Sequence, residues 1–182
     1  MIVTGEGGLD PVLDEEEGNK FEGIYMPRFC YPAPVLFPIP LKCPDSVKQE
    51  LLAAFSLYWS DASAAANRVR VSLENLMSSL GVRTRRKCKK GTFVVLTLHE
   101  RIEEFAKKDP ANSGQLMALK WLTNTGSHEA NVSRAEILNA FEILEHVLIE
   151  IIEERTKRVG QLAKALIKAH GRKPKKKPPQ SP

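Results

Sequence analysis

The sequence predicts an all-α domain of about five helices, entered through an extended Pro-rich arm and flanked by two disordered tails. Three observations carry this. From Ser46 onward each apolar run recurs with a period near 3.6 and is bounded by a start signal and a breaker. Before it, residues 25–44 hold Pro27, Pro32, Pro34, Pro38, Pro40 and Pro44, which forbid a continuous helix or a central strand. Finally, charge is segregated to the ends of the chain. Residues 1–17 carry six acids and no Lys or Arg, and residues 171–182 carry five cations and no acid. Ends of that composition cannot bury enough apolar surface to fold. The expected organisation is an acidic flexible leader over 1–24, a helical domain over 25–170 (arm 25–44, helices 45–170) and a basic disordered tail over 171–182.

The chain has 182 residues, 42% of them hydrophobic. That suffices for one core, and a second full domain does not fit. Charge interrupts every apolar stretch before the ~20 residues that a membrane span needs, and the acidic start is the opposite of a signal peptide. A cytoplasmic protein with no membrane partner is expected. Cys30, Cys43 and Cys88 form no C-x-x-C pair, and His99, His146 and His170 lack a second ligand at metal spacing. No metal or cofactor is expected, and the cysteines read as reduced and structural.

Each element has its own signal. Tyr25, Phe29, Tyr31 and Phe37 are too apolar for a free linker, so the arm is expected to lie along the helical body; an SH3-type Pro-rich ligand is the competing reading. Ser46 and Gln49 suggest a capping box opening a helix to about Trp59, with Val47, Leu51, Leu52, Phe55 and Tyr58 inward. A second helix starts near Asp61 and repeats Ala65, Val69, Leu73, Leu76 and Leu80 until Gly81, a residue suited to the left-handed position past a helix end. The loop GVRTRRKCKKG follows, with Arg83, Arg85, Arg86, Lys87, Lys89 and Lys90 and no acid. Phosphate binding and a solvated connector both fit this charge run. No aromatic residue interleaves with these cations, so any contact is expected to reach backbone phosphates with little sequence preference.

A short strand is expected over Phe93–Leu96. Thr97 and Glu100 then cap a short helix that places Leu98, Ile102 and Phe105 inward, and Asp109-Pro110 breaks it. A helix over about 112–124 buries Leu116, Leu119 and Leu122. Ser133 and Glu136 open the longest helix, whose Ile137, Leu138, Phe141, Leu144, Val147, Leu148, Ile151 and Ile152 form a broad stripe. The stretch 118–158 is thus the expected organising element, and its stripe is broad enough to suggest a homodimer. Gly160 suggests a kink or stop before a last segment with Leu162, Leu166 and Ile167.

The segment Ala118–His128, ALKWLTNTGSH, followed by a capped apolar helix, resembles the bacterial domain-of-unknown-function family 4145. The likeness takes in the Pro-punctuated arm, the helix pair near 46–59 and 61–80, and a shorter third helix after a variable loop. It covers about residues 25–158. Many such proteins carry a C-x-x-C zinc ribbon ahead of the arm, and this one has none. That family is similar in turn to the HEPN class of helical bundles, several of which are ribonucleases in phage-defence and toxin–antitoxin systems.

The resemblance implies a HEPN-like fold, pairing of two copies, and a site built on Arg, a polar residue and a following His. Asn124 matches the polar position and His128 the histidine, while Thr123 stands where the arginine belongs. A metal-independent ribonuclease needs a group to move the 2′-hydroxyl proton and a cation to hold the growing phosphate charge. His128 suits the first task and Thr123 does not suit the second. Lys120, one turn earlier on the face of Asn124, is the substitute cation. Alternatively, Asn124 ends a helix and His128 bonds the backbone across the turn. Two functions follow: a non-catalytic interaction module that binds RNA, DNA or a defence-system partner protein, and a ribonuclease with a composite site in a homodimer.

Overall fold

The computed structural model describes residues 1–14, 18–88, 91–125 and 132–171. It is mostly helical, in the order β1 (Ile2–Asp14), β2 (Gly18–Tyr31), α1 (Asp45–Leu57), α2 (Ala62–Ser79), β3 (Arg85–Lys87), β4 (Phe93–Val95), α3 (Leu98–Ala106), α4 (Pro110–Thr125), α5 (Arg134–Glu153) and α6 (Arg155–His170). The two strand pairs are separate antiparallel ribbons, so the all-α expectation narrows to a helical body with two hairpins.

The hub of that body is α2. It packs against α1, α3, α4 and α5, whereas α5, the expected centre, packs against α4, α2 and α6. Small residues explain the difference: Ala65, Ala66 and Ser72 are fully buried on α2 and let neighbouring helices approach closely. Asp61 caps the helix by accepting from the Ala64 N–H at 2.8 Å. Its other end closes as the sequence suggests. Gly81 adopts φ +70°, its N–H donates to Ser78 O at 3.0 Å, and the Val82 N–H reaches back to Met77 O at 3.0 Å. From α3, the buried Arg101 clamps onto this helix, donating to Glu74 O at 3.2 Å and to Ser78 Oγ at 2.9 Å. Burial pushes its guanidinium pKa down, opposed by Glu74.

The leader and arm need correction. Residues expected to be a flexible leader pair with one another and with the start of the arm, Ile2 opposite Tyr31 through Asp14 opposite Gly18. A two-stranded ribbon has only edges, so proline is tolerated, and Pro27 lies at the register shift where Thr4 pairs with Phe29 but Gly5 with Pro27. Gly5 is required there, because a Cβ would collide with the Met26 carbonyl oxygen. Of the four aromatic residues expected to lay the arm on the helices, Tyr25, Phe29 and Tyr31 are exposed on the ribbon, and only beyond it does the arm meet the body, through Phe37. Phe37 packs edge-on to Phe55 with centroids 5.0 Å apart, Phe55 meets Phe141 at 5.2 Å, and Cys43 is buried. Arg134 of α5 fastens the arm by donating to the carbonyls of Pro27 and Trp59.

The capping boxes Thr97/Glu100 and Ser133/Glu136 form on α3 and α5. The Ser46/Gln49 box does not. Helix α1 starts one residue after Pro44, whose carbonyl receives the Val47 and Lys48 N–H groups, so Ser46 already sits inside the first turn. Asp109 and Pro110 do more than end α3. The Asp109 carboxylate accepts from the Asn112 N–H at 3.3 Å, and Pro110 takes the first helical position of α4.

Most of the stripe of α5 is filled within one chain: Ile137, Phe141, Leu144, Val147 and Leu148 are buried against the arm and the other helices, Ile151 and Ile152 are partly buried, and Leu138 is 46% exposed. The chain breaks after α5 at Glu154, in the left-handed conformation with φ 47° and ψ 43°, and α6 runs straight through Gly160, where the kink was expected. None of the residues of α6 is buried. No helix among the described residues is long and apolar enough to cross a membrane.

Candidate nucleic-acid interface

The basic segment after α2 is a hairpin rather than a loop. Arg85 pairs with Val95, Arg86 with Val94 and Lys87 with Phe93, and the chain turns through Gly91. The sequence favours this geometry because FVV is β-branched and aromatic and RRK is not apolar enough to be buried. All six strand residues are exposed.

Directly paired residues of an antiparallel ladder point to the same side, and successive residues alternate. Arg85, Val95, Lys87 and Phe93 therefore share one face, and Arg86 and Val94 share the other. The second face is turned to α3, because the Arg86 guanidinium lies 3.1 Å from Glu100 Oε1. Just before the hairpin, Arg83 pairs with Glu104 at 3.0 Å. These residues, with Leu96, Glu103 and Lys107, line a groove of about 530 Å³ in which cations and acids balance.

Glu100 and Glu104 of the groove have lowered pKa values. Hydrogen bonds from the Thr97 backbone and hydroxyl lower the Glu100 pKa, and Arg86 and His99 add to this. Lys107 and Arg83 lower that of Glu104. In consequence Arg83 and Arg86 are neutralised by neighbours, while Arg85 and Lys87 have no ion pair among the described residues. Lys89 and Lys90, also expected to contact phosphate, lie outside the described residues, as does the tail 172–182.

The aromatic residue missing from the linear sequence is supplied by the fold. Phe93 is 68% exposed and Val95 65% exposed, beside Lys87 and Arg85 respectively. A pairing signal was available: two short runs flank a Gly-containing turn, and the second is rich in β-formers.

The ribonuclease candidates fare differently. Lys120 is only 7% exposed, and its Nζ sits 3.4 Å from the centroid of the Trp121 ring, a cation–π contact. Thr123 is 2% exposed and donates its hydroxyl proton to Lys120 O at 3.1 Å. Asn124 is half-buried in the last turn of α4, and His128 lies outside the described residues. No catalytic constellation is therefore assembled by the described residues. His99, on α3, is engaged with Met117 Sδ at 3.1 Å and with Glu103 at 3.5 Å. Among the described residues no group of three or more His, Cys, Asp or Glu could hold a metal ion. All three cysteines are free thiols, and burial raises the pKa of Cys43.

The profile of the family described as "Domain of unknown function (DUF4145)" matches residues 52–169, more than half of the chain. The match begins inside α1, later than the arm that the sequence likeness took in, and it includes α6. Neither the curated proteins nor the solved structures gave a match.

Proposed function

The chain belongs to the DUF4145 family, and we propose that it is a non-catalytic, HEPN-like interaction module that holds nucleic acid on the outer face of the β3–β4 hairpin. One observation carries the proposal: Arg85 and Lys87 are exposed without a counter-ion on a face that also presents Phe93, while Arg83 and Arg86 are tied to acids behind it. An unneutralised cation releases counterions from a phosphate backbone, and a paired one has little left to give. The HEPN likeness adds the setting, a phage-defence or toxin–antitoxin-like system, and a homodimer. The pairing rests on that likeness, since most of the α5 stripe is buried within one chain. A monomer mass by light scattering at tens of micromolar removes the dimer.

The non-catalytic part of the proposal rests on α4. A metal-independent ribonuclease needs a cation free to meet the phosphate, and Lys120 is buried over Trp121 while Thr123 has replaced the arginine. Binding is tested by a salt titration. With Arg85, Lys87, Lys89 and Lys90 in contact, log affinity against log salt should have a slope of roughly −3 on single strands. Replacing all four by Ala should abolish most of that slope, and an unchanged slope refutes the interface. Cleavage of single-stranded RNA that is lost in His128→Ala and survives chelation would instead establish the ribonuclease.

A further inference from the structure

We infer that the hairpin face selects single-stranded over duplex nucleic acid, with Phe93 as a stacking platform for one base and Arg85 and Lys87 as the flanking phosphate contacts. This deepens the proposed function and rests on it. The key juxtaposition is Phe93 directly opposite Lys87 in the β3–β4 ladder, with Arg85 opposite Val95 one step along the same face.

A large aromatic ring that is 68% exposed contributes little to this protein's own core. Its neighbours do not cover it either: the acids of α3 engage Arg83 and Arg86 behind the ribbon and leave the outer face without a carboxylate among its strand residues. The face therefore offers a π-surface and positive charge within one or two residues of each other. Residues two apart on a strand lie about 6.7 Å apart, so Arg85 and Lys87 present separate charges along the ribbon rather than one point charge. Val95 extends the apolar strip beyond Phe93.

Charge alone does not distinguish single strands from duplexes, since both expose phosphates. The ring does. A base can stack on Phe93 only when one of its faces is free, and in a duplex interior both faces are covered by neighbouring base pairs. Stacking of this kind tolerates any base, because each has a π-face. Behind the hairpin the cations and acids of the groove balance, so a phosphate backbone meets net positive charge on the outer side rather than there.

The test is fluorescence anisotropy of the full chain with labelled oligouridine, oligodeoxyuridine and a duplex of equal length. Single strands should bind more tightly than duplex. Phe93→Ala should weaken binding of single strands by about 5- to 150-fold, the loss of one stacked base, and leave the duplex nearly unchanged. Because the ring is exposed, this variant should unfold at the same denaturant concentration as the parent. Phe93→Trp should restore affinity, which a merely structural role for the ring does not predict. A preference for oligouridine over oligodeoxyuridine, which lacks only the 2′-hydroxyl, identifies that hydroxyl as part of the ligand, and equal binding identifies either single strand as sufficient.

Two failures are distinguishable. If Phe93→Ala binds single strands as the parent does while Arg85→Ala/Lys87→Ala weakens every probe, the hairpin is an electrostatic interface and the stacking inference is overturned. If no probe binds, or the double variant binds all of them as the parent does, the proposed function itself falls.

Discussion

Two stretches of this chain invite a role on phosphate, and the fold treats them in opposite ways. At the end of α4 two of the candidate side chains turn inward: Lys120 and Thr123 are buried, one over an indole ring and the other on a carbonyl. On the β3–β4 hairpin they turn outward, and Arg85 and Lys87 stand exposed beside Phe93. The sequence spacing at α4 matches a nuclease pattern in part, and the hairpin matches no motif. Which one can meet a ligand is decided by where the backbone aims each residue and by whether an acid already neutralises it.

The largest expected effect comes from forcing the first region to look like the nuclease. Thr123→Arg restores the arginine of the HEPN pattern but places an unpaired charge at a site 2% exposed. It should destabilise the fold by about 3–5 kcal/mol in urea denaturation without producing ribonuclease activity. A variant as stable as the parent would show that α4 ends in open space and would undo the contrast.

Next in size is Arg85→Ala/Lys87→Ala. Affinity for single strands at low salt should fall by at least about 10-fold, and the salt slope should shrink by roughly 1.5, while the unfolding midpoint stays within about 0.5 kcal/mol of the parent. Lys120→Met sharpens the comparison from the other side. It removes a charge of the same sign from a buried position, so anisotropy should show a change in affinity below about 2-fold. A large loss there would move the interface to α4.

The smallest effect concerns the anchor of the hairpin. The Glu100 carboxyl lies below its ordinary pKa because Thr97 donates to it and Arg86 faces it. A depressed carboxyl stabilises the fold above its unfolded pKa and loses that contribution as pH falls through the folded value. Acid unfolding monitored by circular dichroism should therefore show a loss from about pH 4.5 downward, and Glu100→Gln should be less sensitive in that range. An identical acid limb in the variant would mean that neither the Thr97 cap nor the Arg86 pair adds stability through Glu100.

Much of the helical body was legible because its signals are local. The boxes at Thr97/Glu100 and Ser133/Glu136, the Gly81 terminus and the inward faces of α1 to α5, apart from Leu52 and Leu138, which are exposed, each depend on residues within a few turns of one another. What escaped depends on distance or on competition. The β1–β2 ribbon joins a glycine-rich, acidic segment to a proline-containing one, and most of its described side chains are exposed, so no alternation of burial marks it. Ser46 has the right spacing for a cap but loses the position to Pro44. The break at Glu154 rather than Gly160 has no capping residue to announce it. For the site, the cations were visible and their neutralisation was not. Glu100 and Glu104 lie many residues from Arg86 and Arg83, and Phe93 joins Lys87 only when the strands pair.

The most direct test of the account is photo-crosslinking of the full chain to a single-stranded oligonucleotide containing 4-thiouridine, followed by mass spectrometry of the adducts. Both regions present an exposed aromatic residue, Phe93 on the hairpin and Trp121 on α4, the second with the Lys120 ammonium against its ring. Adducts on the peptide spanning residues 85–95 are the predicted result. Adducts on the peptide carrying Lys120, Trp121 and Asn124, with none on the hairpin, would contradict it.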